Sequence, residues 1–405
     1  MNATAETVDS ISHELIAKAD AFRPMLLAEQ AATEARSHMS PETHAAFEEA
    51  GFYRMLVPRR YGGLEVDLPT FYQVIMSVAR GCPSTGWMLA LSTAHSLQLA
   101  SYYPEEAQDE LFAGRTYVAS ASFGFEDAVA VPVDGGYRVT GTWHFCSGVP
   151  FATHHMGLTP VEGSDSAIVA VIPRESFQML DNWGDLIGLK GSGSHSVVVD
   201  DVFIPAHHTI SQAEWMSIGV TTTPGYELHG NPMYGGRAMT IFTLSLAAVT
   251  VGGVFNALDE YERLLRTKST PLPPFVPRVQ DREHQKWFGR AVTRAKMAEM
   301  LLHQAADEHM ERCRANVEDG VDYGYGDDMT LAATLREVMV MCWDIVNEDL
   351  WQTVGASVAR DGERMPRIFR DMAIAVAHRN PQQRDLFYGE VGRAALGEPR
   401  IPFGG

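Results

Sequence analysis

Residues 135–148 read Gly-Gly-Tyr-Arg-Val-Thr-Gly-Thr-Trp-His-Phe-Cys-Ser-Gly, and residues 188–205 read Gly-Leu-Lys-Gly-Ser-Gly-Ser-His-Ser-Val-Val-Val-Asp-Asp-Val-Phe-Ile-Pro. Both segments alternate apolar with polar or small residues and are rich in β-branched and aromatic types. This pattern predicts strands with one buried face. Helical patterns lie on both sides, so we expect a β-domain in the middle of a largely helical chain.

The residues before this stretch have helical spacing. We predict helices over residues 8–36, 40–50, 68–80, 84–102 and 104–113. The second helix has clear boundary signals, since Ser40 and Pro41 are typical of a helix start and Gly51 of a helix end.

Between residues 116 and 210 the period is two, and turn signals separate about six to eight strands. The segment Gly191-Ser-Gly-Ser resembles a phosphate-binding loop, but no helical pattern follows it, so we interpret it as a β-turn. After a connector rich in Gly and Pro, further helices are predicted over 237–266, 282–316, 329–358 and 364–379. The predicted domains are 1–115, 116–225 and 226–405.

The composition excludes several classes of partner. The chain has 405 residues with 32 Lys and Arg against 51 Asp and Glu, a net charge of −19. Nucleic acids and anionic membranes would be repelled. No apolar run of roughly 18 to 20 residues is evident and the first residues are polar and acidic, so we expect a soluble, cytoplasmic protein.

The cysteines give no sign of a metal site. The four residues, none in a Cys-x-x-Cys pair, are Cys82, Cys146, Cys313 and Cys342. We expect reduced thiols and no bound metal.

The order of a helical domain, a β-domain and a helical bundle resembles the acyl-CoA dehydrogenase fold. The resemblance implies an α+β multidomain chain with an N-terminal helical domain, a middle β-barrel-like domain and a C-terminal four-helix bundle. Besides the two segments quoted above, it is carried by Val57-Pro-Arg-Arg-Tyr-Gly-Gly, Gln352-Thr-Val-Gly and Arg370-Asp371.

The residues after Arg370-Asp371 indicate which group of proteins with this fold the chain resembles. Dehydrogenases of the family often place a catalytic Glu in a Tyr-Glu-Gly segment there, whereas this chain has His378 and no Glu before Glu390. Together with Trp-His-Phe-Cys-Ser-Gly, this ending resembles the two-component, group D flavin-dependent monooxygenases.

That resemblance implies an oxygenase component that takes reduced FMN or FAD, forms a C4a-hydroperoxyflavin with O2 and hydroxylates an aromatic compound, phenolic or indolic. It also implies a homotetramer and a separate NAD(P)H-dependent flavin reductase, and no Gly-x-Gly-x-x-Gly fingerprint occurs in the chain.

The resemblance places Ser147 and His378 beside the flavin ring, with His95 as a further histidine. A hydroxyl at Ser147 can donate to the flavin–oxygen adduct, and an imidazole at His378 can hold or remove a substrate proton. Each of these residues has an alternative interpretation. For His378 it is completion of a helix dipole, for Ser147 a plain turn, and for His95 a position in the core.

Other residues match the family's flavin-binding positions. Trp143 and Trp183 are expected in or beside the flavin cleft, with a plain core position as the alternative. Arg266 is expected at the flavin phosphate, although Arg263 and Lys268 compete for that role. Gln352 and Gly355 would come from a neighbouring subunit.

Two rival functions stay open, an acyl-CoA dehydrogenase with a displaced base and a non-catalytic scaffold that binds flavin or acyl-CoA. The chain also departs from familiar group D members at Arg379-Asn380, where some carry Asp-Pro after the histidine. The sequence therefore leaves the substrate open.

Overall fold

The computed structural model describes residues 2–113, 116–216, 222–360, 362–379 and 382–399. Five helices precede the strands, as predicted: α1 Asn2–Arg36, α2 Pro41–Ala50, α3 Leu68–Gly81, α4 Pro83–Tyr102 and α5 Glu105–Leu111. The boundary signals of α2 are confirmed. The Ser40 side chain accepts a hydrogen bond from the Thr43 amide, and Gly51 adopts φ 88°, a left-handed conformation that favours glycine.

Eight strands follow within the described residues, in agreement with the predicted six to eight. They are β1 Ala119–Ser122, β2 Phe125–Val133, β3 Gly136–Trp143, β4 His154–Pro160, β5 Ala167–Pro173, β6 Gln178–Leu180, β7 Ser196–Pro205 and β8 Thr209–Ser211. They form two four-stranded sheets with the orders β1-β4-β5-β8 and β2-β3-β7-β6. The pair β1–β4 is parallel, and the other pairs are antiparallel.

The two segments that decide the fold are neighbours in the second sheet. Strand β3 pairs with β7, with Gly136 opposite Pro205 and Trp143 opposite Val197. A Cβ atom at Gly136 would lie 2.1 Å from the carbonyl oxygen of Ile204, so the close approach of the strands requires glycine there. Apolar side chains of both sheets pack together in one core cluster.

The C-terminal part is helical, with α6 Gln212–Trp215 and α7 Pro224–His229 as short connecting helices. The long helices are α8 Ala238–Thr267, α9 Arg282–Asp319, α10 Tyr325–Asp344, α12 Arg364–Ala377 and α13 Gln382–Leu396, with the short α11 Gln352–Val354 before α12.

Two details of this part correct the prediction. The single helix expected over 329–358 is interrupted by a π-helix at Ile345–Trp351, and α13 was not predicted. The sequence of α13 contains Gly389 and Gly392, which weaken a helical signal. The domain boundaries themselves stay predictions, and residue 115 lies outside the described residues.

Helix α8 is the core helix of the bundle. It is long and apolar enough to cross a membrane by length and composition, so the expectation that no such stretch exists is wrong for α8. However, 89% of its most apolar window is buried inside the protein, where it packs against α3, α4, α9 and α10. This burial accounts for its apolar sequence.

Candidate active site

A cavity of about 400 Å³ lies where the three parts of the chain meet. Its volume is in the range of small-molecule sites. Most of its wall is aromatic or aliphatic, and its polar side chains are few. The lining residues are Trp87, Leu91, His95, Ala121, Ser122, Phe123, Gly124, Phe145, Ser147, Trp183, Leu186, Leu189, Ser192, Ser194, Phe242, Ile374, Ala377, His378 and Arg379.

Ser147 lies in a turn after β3 and belongs to a chain of hydrogen bonds. The indole N–H of Trp87 donates to Ser147 Oγ at 3.1 Å, and Ser147 Oγ lies 2.8 Å from Ser194 Oγ. The Ser194 hydroxyl in turn lies 2.6 Å from Ser192 Oγ. Because Trp87 supplies a donor to Ser147, the hydroxyl of Ser147 is able to direct its own hydrogen to Ser194 or to a ligand in the cavity.

Two aromatic side chains form one wall of the cavity. Phe145 adopts φ +61°, rare for a non-glycine residue, and its ring is 63% exposed. It meets Trp183 edge to face, with 6.1 Å between the ring centres. Together the exposed Phe145 and the half-buried Trp183 present apolar surface to a planar ligand.

Hydrogen bonds at both ends of the residue fix Trp183. Its amide donates to His195 Nδ1 at 3.2 Å, and its carbonyl accepts from the Ser37 hydroxyl at 3.0 Å. The indole N–H donates to the Leu189 carbonyl at 3.2 Å. The Leu189 amide donates to Asp371 on α12 at 2.6 Å, so Asp371 anchors the loop that carries Trp183.

Asp371 is a buried carboxyl group with an altered pKa. Its side chain is 5% exposed. Burial raises its pKa from 3.8 to about 7, although the hydrogen bond from Leu189 acts in the opposite direction. The folded protein therefore resists ionisation of a group that ionises freely in the unfolded chain.

This shift predicts a pH-dependent stability. Because the folded pKa is raised, the contribution of Asp371 is fully present below pH 3.8 and is lost as the pH rises through about 7, at about 1.4 kcal/mol for each pKa unit. We expect the melting temperature of Asp371→Asn, relative to that of wild type, to increase as the pH rises from 5 to 8. The exposed Asp185→Asn in the same loop is the control, and an unchanged difference across this range would contradict the prediction.

His378 follows the last residue of α12 and faces the cavity between two aromatic rings. Its ring centre lies 5.4 Å from Trp87 and 5.7 Å from Phe242. Its buried Nδ1 has no hydrogen-bond partner among the described residues. Burial, reinforced by the positive charges of Arg379 and Arg336, lowers the pKa of His378 to about 3. The imidazole is therefore neutral near pH 7 and can accept a hydrogen bond, but it does not titrate near neutrality as its ordinary pKa would suggest.

His95 lies on α4, which is buried along its whole length. Its Nδ1 is 2.9 Å from the Ala119 carbonyl oxygen. Since a carbonyl only accepts, Nδ1 carries the hydrogen and Nε2 is left as an acceptor. Burial lowers the pKa of His95 to about 4, so this histidine is also neutral near pH 7. The sequence left two alternatives for His95, an active-site position and a core position. In the structure His95 is buried in a helix and also lines the cavity.

Trp143 is not among the residues that line the cavity. Its side chain is fully buried between the two sheets, and its indole N–H donates to the Leu158 carbonyl at 2.9 Å. A Cβ atom at Gly157 would lie 2.8 Å from the Trp143 ring. The structure thus places Trp143 in the core, the alternative that the sequence left open.

The residues expected at the flavin phosphate do not line this cavity. Arg266 is exposed and pairs with Glu262. Gln352 is exposed, and Gly355 has φ 83° beside the buried guanidinium of Arg278. Arg278 was not predicted, and its guanidinium donates to the Val354 carbonyl at 2.8 Å.

Some cavity residues were not predicted. Trp87 and Phe123 belong to no motif, and Ser194 lies in the segment Gly191-Ser-Gly-Ser that was interpreted only as a β-turn. The fold brings all three to the cavity. Arg379 was recognised as a departure from the family pattern, but its position in the cavity could not be predicted.

One cluster with metal-ligand chemistry lies away from the cavity. Glu110, His207 and His208 have ligand atoms within 4.8 Å of one another. Both histidines lie within hydrogen-bonding distance of the Glu110 carboxylate, at 3.2 Å and 2.8 Å, and so connect α5 to the segment between β7 and β8. The absence of a bound metal stays a prediction.

Comparison with known proteins gives a consistent set of relatives. The models for the acyl-CoA dehydrogenase N-terminal domain and C-terminal domain match residues 13–115 and 244–383. The oxygenase subunit HsaA of a flavin-dependent monooxygenase from Rhodococcus jostii is 28% identical over 91% of this chain and 96% of its own length. The oxygenase component of p-hydroxyphenylacetate 3-hydroxylase from Acinetobacter baumannii is 25% identical over 92% of this chain and 87% of its own length.

Solved structures agree with these relatives. The crystal structure of 3-HSA hydroxylase from Rhodococcus sp. RHA1 superposes with a TM-score of 0.86 and 26% identity, covering 96% of this chain and 98% of that chain. XiaF from Streptomyces sp., in complex with FADH2 and glycerol, has a TM-score of 0.87 at 22% identity, over 99% of this chain and all of that chain. At that identity the second likeness concerns the fold alone.

Proposed function

Since the chain belongs to the two-component flavin-dependent monooxygenases of the acyl-CoA dehydrogenase-like superfamily, we propose that it is an oxygenase component that hydroxylates an aromatic small molecule. It uses reduced flavin and dioxygen. Relatives named for hydroxylating p-hydroxyphenylacetate, resorcinol and indole-3-acetate support an aromatic substrate.

One observation favours an oxygenase over a dehydrogenase. Among the described residues that line the cavity there is no Asp or Glu, whereas Ser147, His95 and His378 all face it. A dehydrogenase that removes a proton α to a thioester needs a carboxylate base at the reacting carbon. The cavity instead offers a hydroxyl donor and two neutral imidazoles within aromatic walls.

The chemistry of the cavity wall suits a flavin ring. Phe145 and Trp183 present aromatic surface to a planar ligand, and Ser147 offers a hydroxyl that can donate to a ring nitrogen or a bound oxygen. When bound, reduced flavin supplies two electrons to dioxygen, so that one oxygen atom enters the aromatic ring and the other leaves as water.

The protein's own residues have three tasks in this reaction. The aromatic walls exclude water, which would divert the reaction to hydrogen peroxide. The Ser147 hydroxyl donates a hydrogen bond to negative charge that develops in the cavity. His378 lines the cavity as a neutral imidazole, and it accepts the O–H or N–H hydrogen of the substrate and so orients the ring.

The remaining parts of the system are also proposed. A separate NAD(P)H-dependent reductase supplies reduced FMN or FAD, and the protein works in the cytoplasm as a homotetramer. Arg266, Gln352 and Gly355 line no part of this subunit's cavity, so a role at the flavin phosphate would require a subunit contact. The exposure of Arg266 and Gln352 is compatible with such a contact.

Isotopic oxygen tests the proposed function. We expect the protein, supplied with reduced FMN or FAD and ¹⁸O₂, to convert at least one member of a panel of phenols and indoles into a hydroxylated product with one ¹⁸O atom. Mass spectrometry of the product is the measurement. Anaerobic bleaching of protein-bound oxidised flavin by an acyl-CoA, without any labelled product, would favour the dehydrogenase instead.

A further inference from the structure

The cavity contains one cation without a counter-ion. Arg379 directly follows His378 and lines the cavity, and its guanidinium carbon lies 5.6 Å from the ring centre of Phe123. It forms no ion pair with a described carboxylate. Its backbone has φ +47°, an uncommon conformation for arginine that sets the direction in which the side chain leaves the end of α12.

A second cation lies behind it. Arg336 on α10 is 1% exposed, and its guanidinium donates to the Val376 carbonyl on α12 at 2.7 Å. It also forms no ion pair with a described carboxylate. Glu337, its acidic neighbour, accepts a hydrogen bond from Tyr388. The end of α12 beside His378 is therefore positive, although the whole chain has a net charge of −19.

Arg379 lines the cavity and is exposed, so its charge is open to a ligand. Arg336 is buried, and burial lowers its pKa because water that would solvate the charge is displaced by protein atoms. Neither charge is neutralised by an ion pair with a described carboxylate. The other lining residues are apolar, hydroxyl or neutral imidazole groups. A guanidinium in such a position binds a carboxylate well, since its planar fork matches the two carboxylate oxygens.

We propose that Arg379 is the binding site for a carboxylate of the substrate, so that the aromatic compound is an acid rather than a neutral phenol or indole. This inference rests on the proposed function. Two ligands with rings could place an anion beside Arg379, the substrate and the reduced flavin. The substrate is favoured because Arg379 is adjacent to His378, the proposed acceptor for the substrate proton.

Binding of matched pairs of ligands tests the inference. We would titrate the protein, with and without anaerobic reduced flavin, with 4-hydroxyphenylacetate and its amide and with indole-3-acetate and its amide. Isothermal titration calorimetry measures each affinity, because indole ligands fluoresce in the same range as tryptophan. In wild type we expect one acid to bind at least tenfold more tightly than its amide. Arg379→Gln should remove that preference by weakening the binding of the acid and not that of the amide. Arg379→Lys should retain part of the preference.

The controls separate the possible sources of the effect. Arg384→Gln removes an exposed arginine that does not line the cavity and should leave the preference unchanged. The proposal is wrong if no acid binds, if wild type does not distinguish acid from amide, or if Arg379→Gln weakens both equally. It is also wrong if Arg379→Gln weakens only the binding of reduced flavin, since the flavin would then be the anion bound by Arg379. These titrations need no oxygen and are therefore independent of the hydroxylation assay. A preference for the acid in the titrations, with no hydroxylated product in the assay, would reject the proposed function and still support Arg379 as a carboxylate-binding site.

Discussion

Replacing His378 with alanine should lower the rate of hydroxylation on the order of 100-fold or more while reduced flavin is still consumed. The residue faces the cavity between Trp87 and Phe242, with a nitrogen that has no partner among the described residues. Without it, the substrate hydrogen has no acceptor in place, and the electrons from flavin are lost to hydrogen peroxide. The ratio of product to hydrogen peroxide measures this loss.

A matched control is available for His378. His303 lies on α9 and lines no part of the cavity, so His303→Ala should retain the wild-type ratio. Because burial lowers the pKa of His378 to about 3, the wild-type rate should show no inflection from this residue between pH 5 and pH 8. A His378→Ala variant that folds and keeps the wild-type ratio would refute the role proposed for this residue.

Replacing Ser147 with alanine should lower product formation by about 10²- to 10³-fold, the effect of removing one donor from a site where negative charge develops. The change also leaves the Trp87 indole N–H without its acceptor and removes one of the two hydrogen-bond partners of the Ser194 hydroxyl. A loss of about 1 to 3 kcal/mol in the free energy of unfolding should accompany it. Product yield per reduced flavin and thermal unfolding are the two measurements.

Variants at neighbouring positions separate catalysis from structure. Ser194→Ala removes one hydrogen bond of Ser147 but keeps its hydroxyl, and Ser147→Thr keeps a donor. Both should retain far more activity than Ser147→Ala. Equal loss of activity in Ser194→Ala and Ser147→Ala would show that the hydrogen-bond chain supports the structure and that Ser147 has no direct role in the reaction.

Much of the fold could be predicted because local signals and tertiary structure agree. The alternation in residues 135–148 and 188–205 became the neighbouring strands β3 and β7. The π-helix at Ile345–Trp351 gave no such signal, since its residues continue a helical pattern and only packing shifts the hydrogen bonds. Trp143 shows that alternation also predicts burial. It shares the inward face of β3 with Val139 and Gly141, which the period of two already indicates.

The candidate site was predicted in part. Ser147, His95, Trp183 and His378 come from distant parts of the sequence and line one cavity, and their roles toward flavin stay predictions. The properties that depend on burial could not be predicted. The raised pKa of Asp371, the lowered pKa of His378 and the isolated charge of Arg379 all follow from the protein atoms around them, which no local pattern specifies.

The fate of reduced flavin mixed with oxygen tests the central claim most directly. Reduced FMN or FAD is bound to the protein without oxygen, oxygenated buffer is added rapidly, and the absorption of oxidised flavin is followed without any aromatic substrate. We expect oxidised flavin to return after a delay and more slowly than in free solution, because the cavity excludes water. Return of oxidised flavin at the rate of free flavin, for both FMN and FAD, would contradict the assignment as an oxygenase.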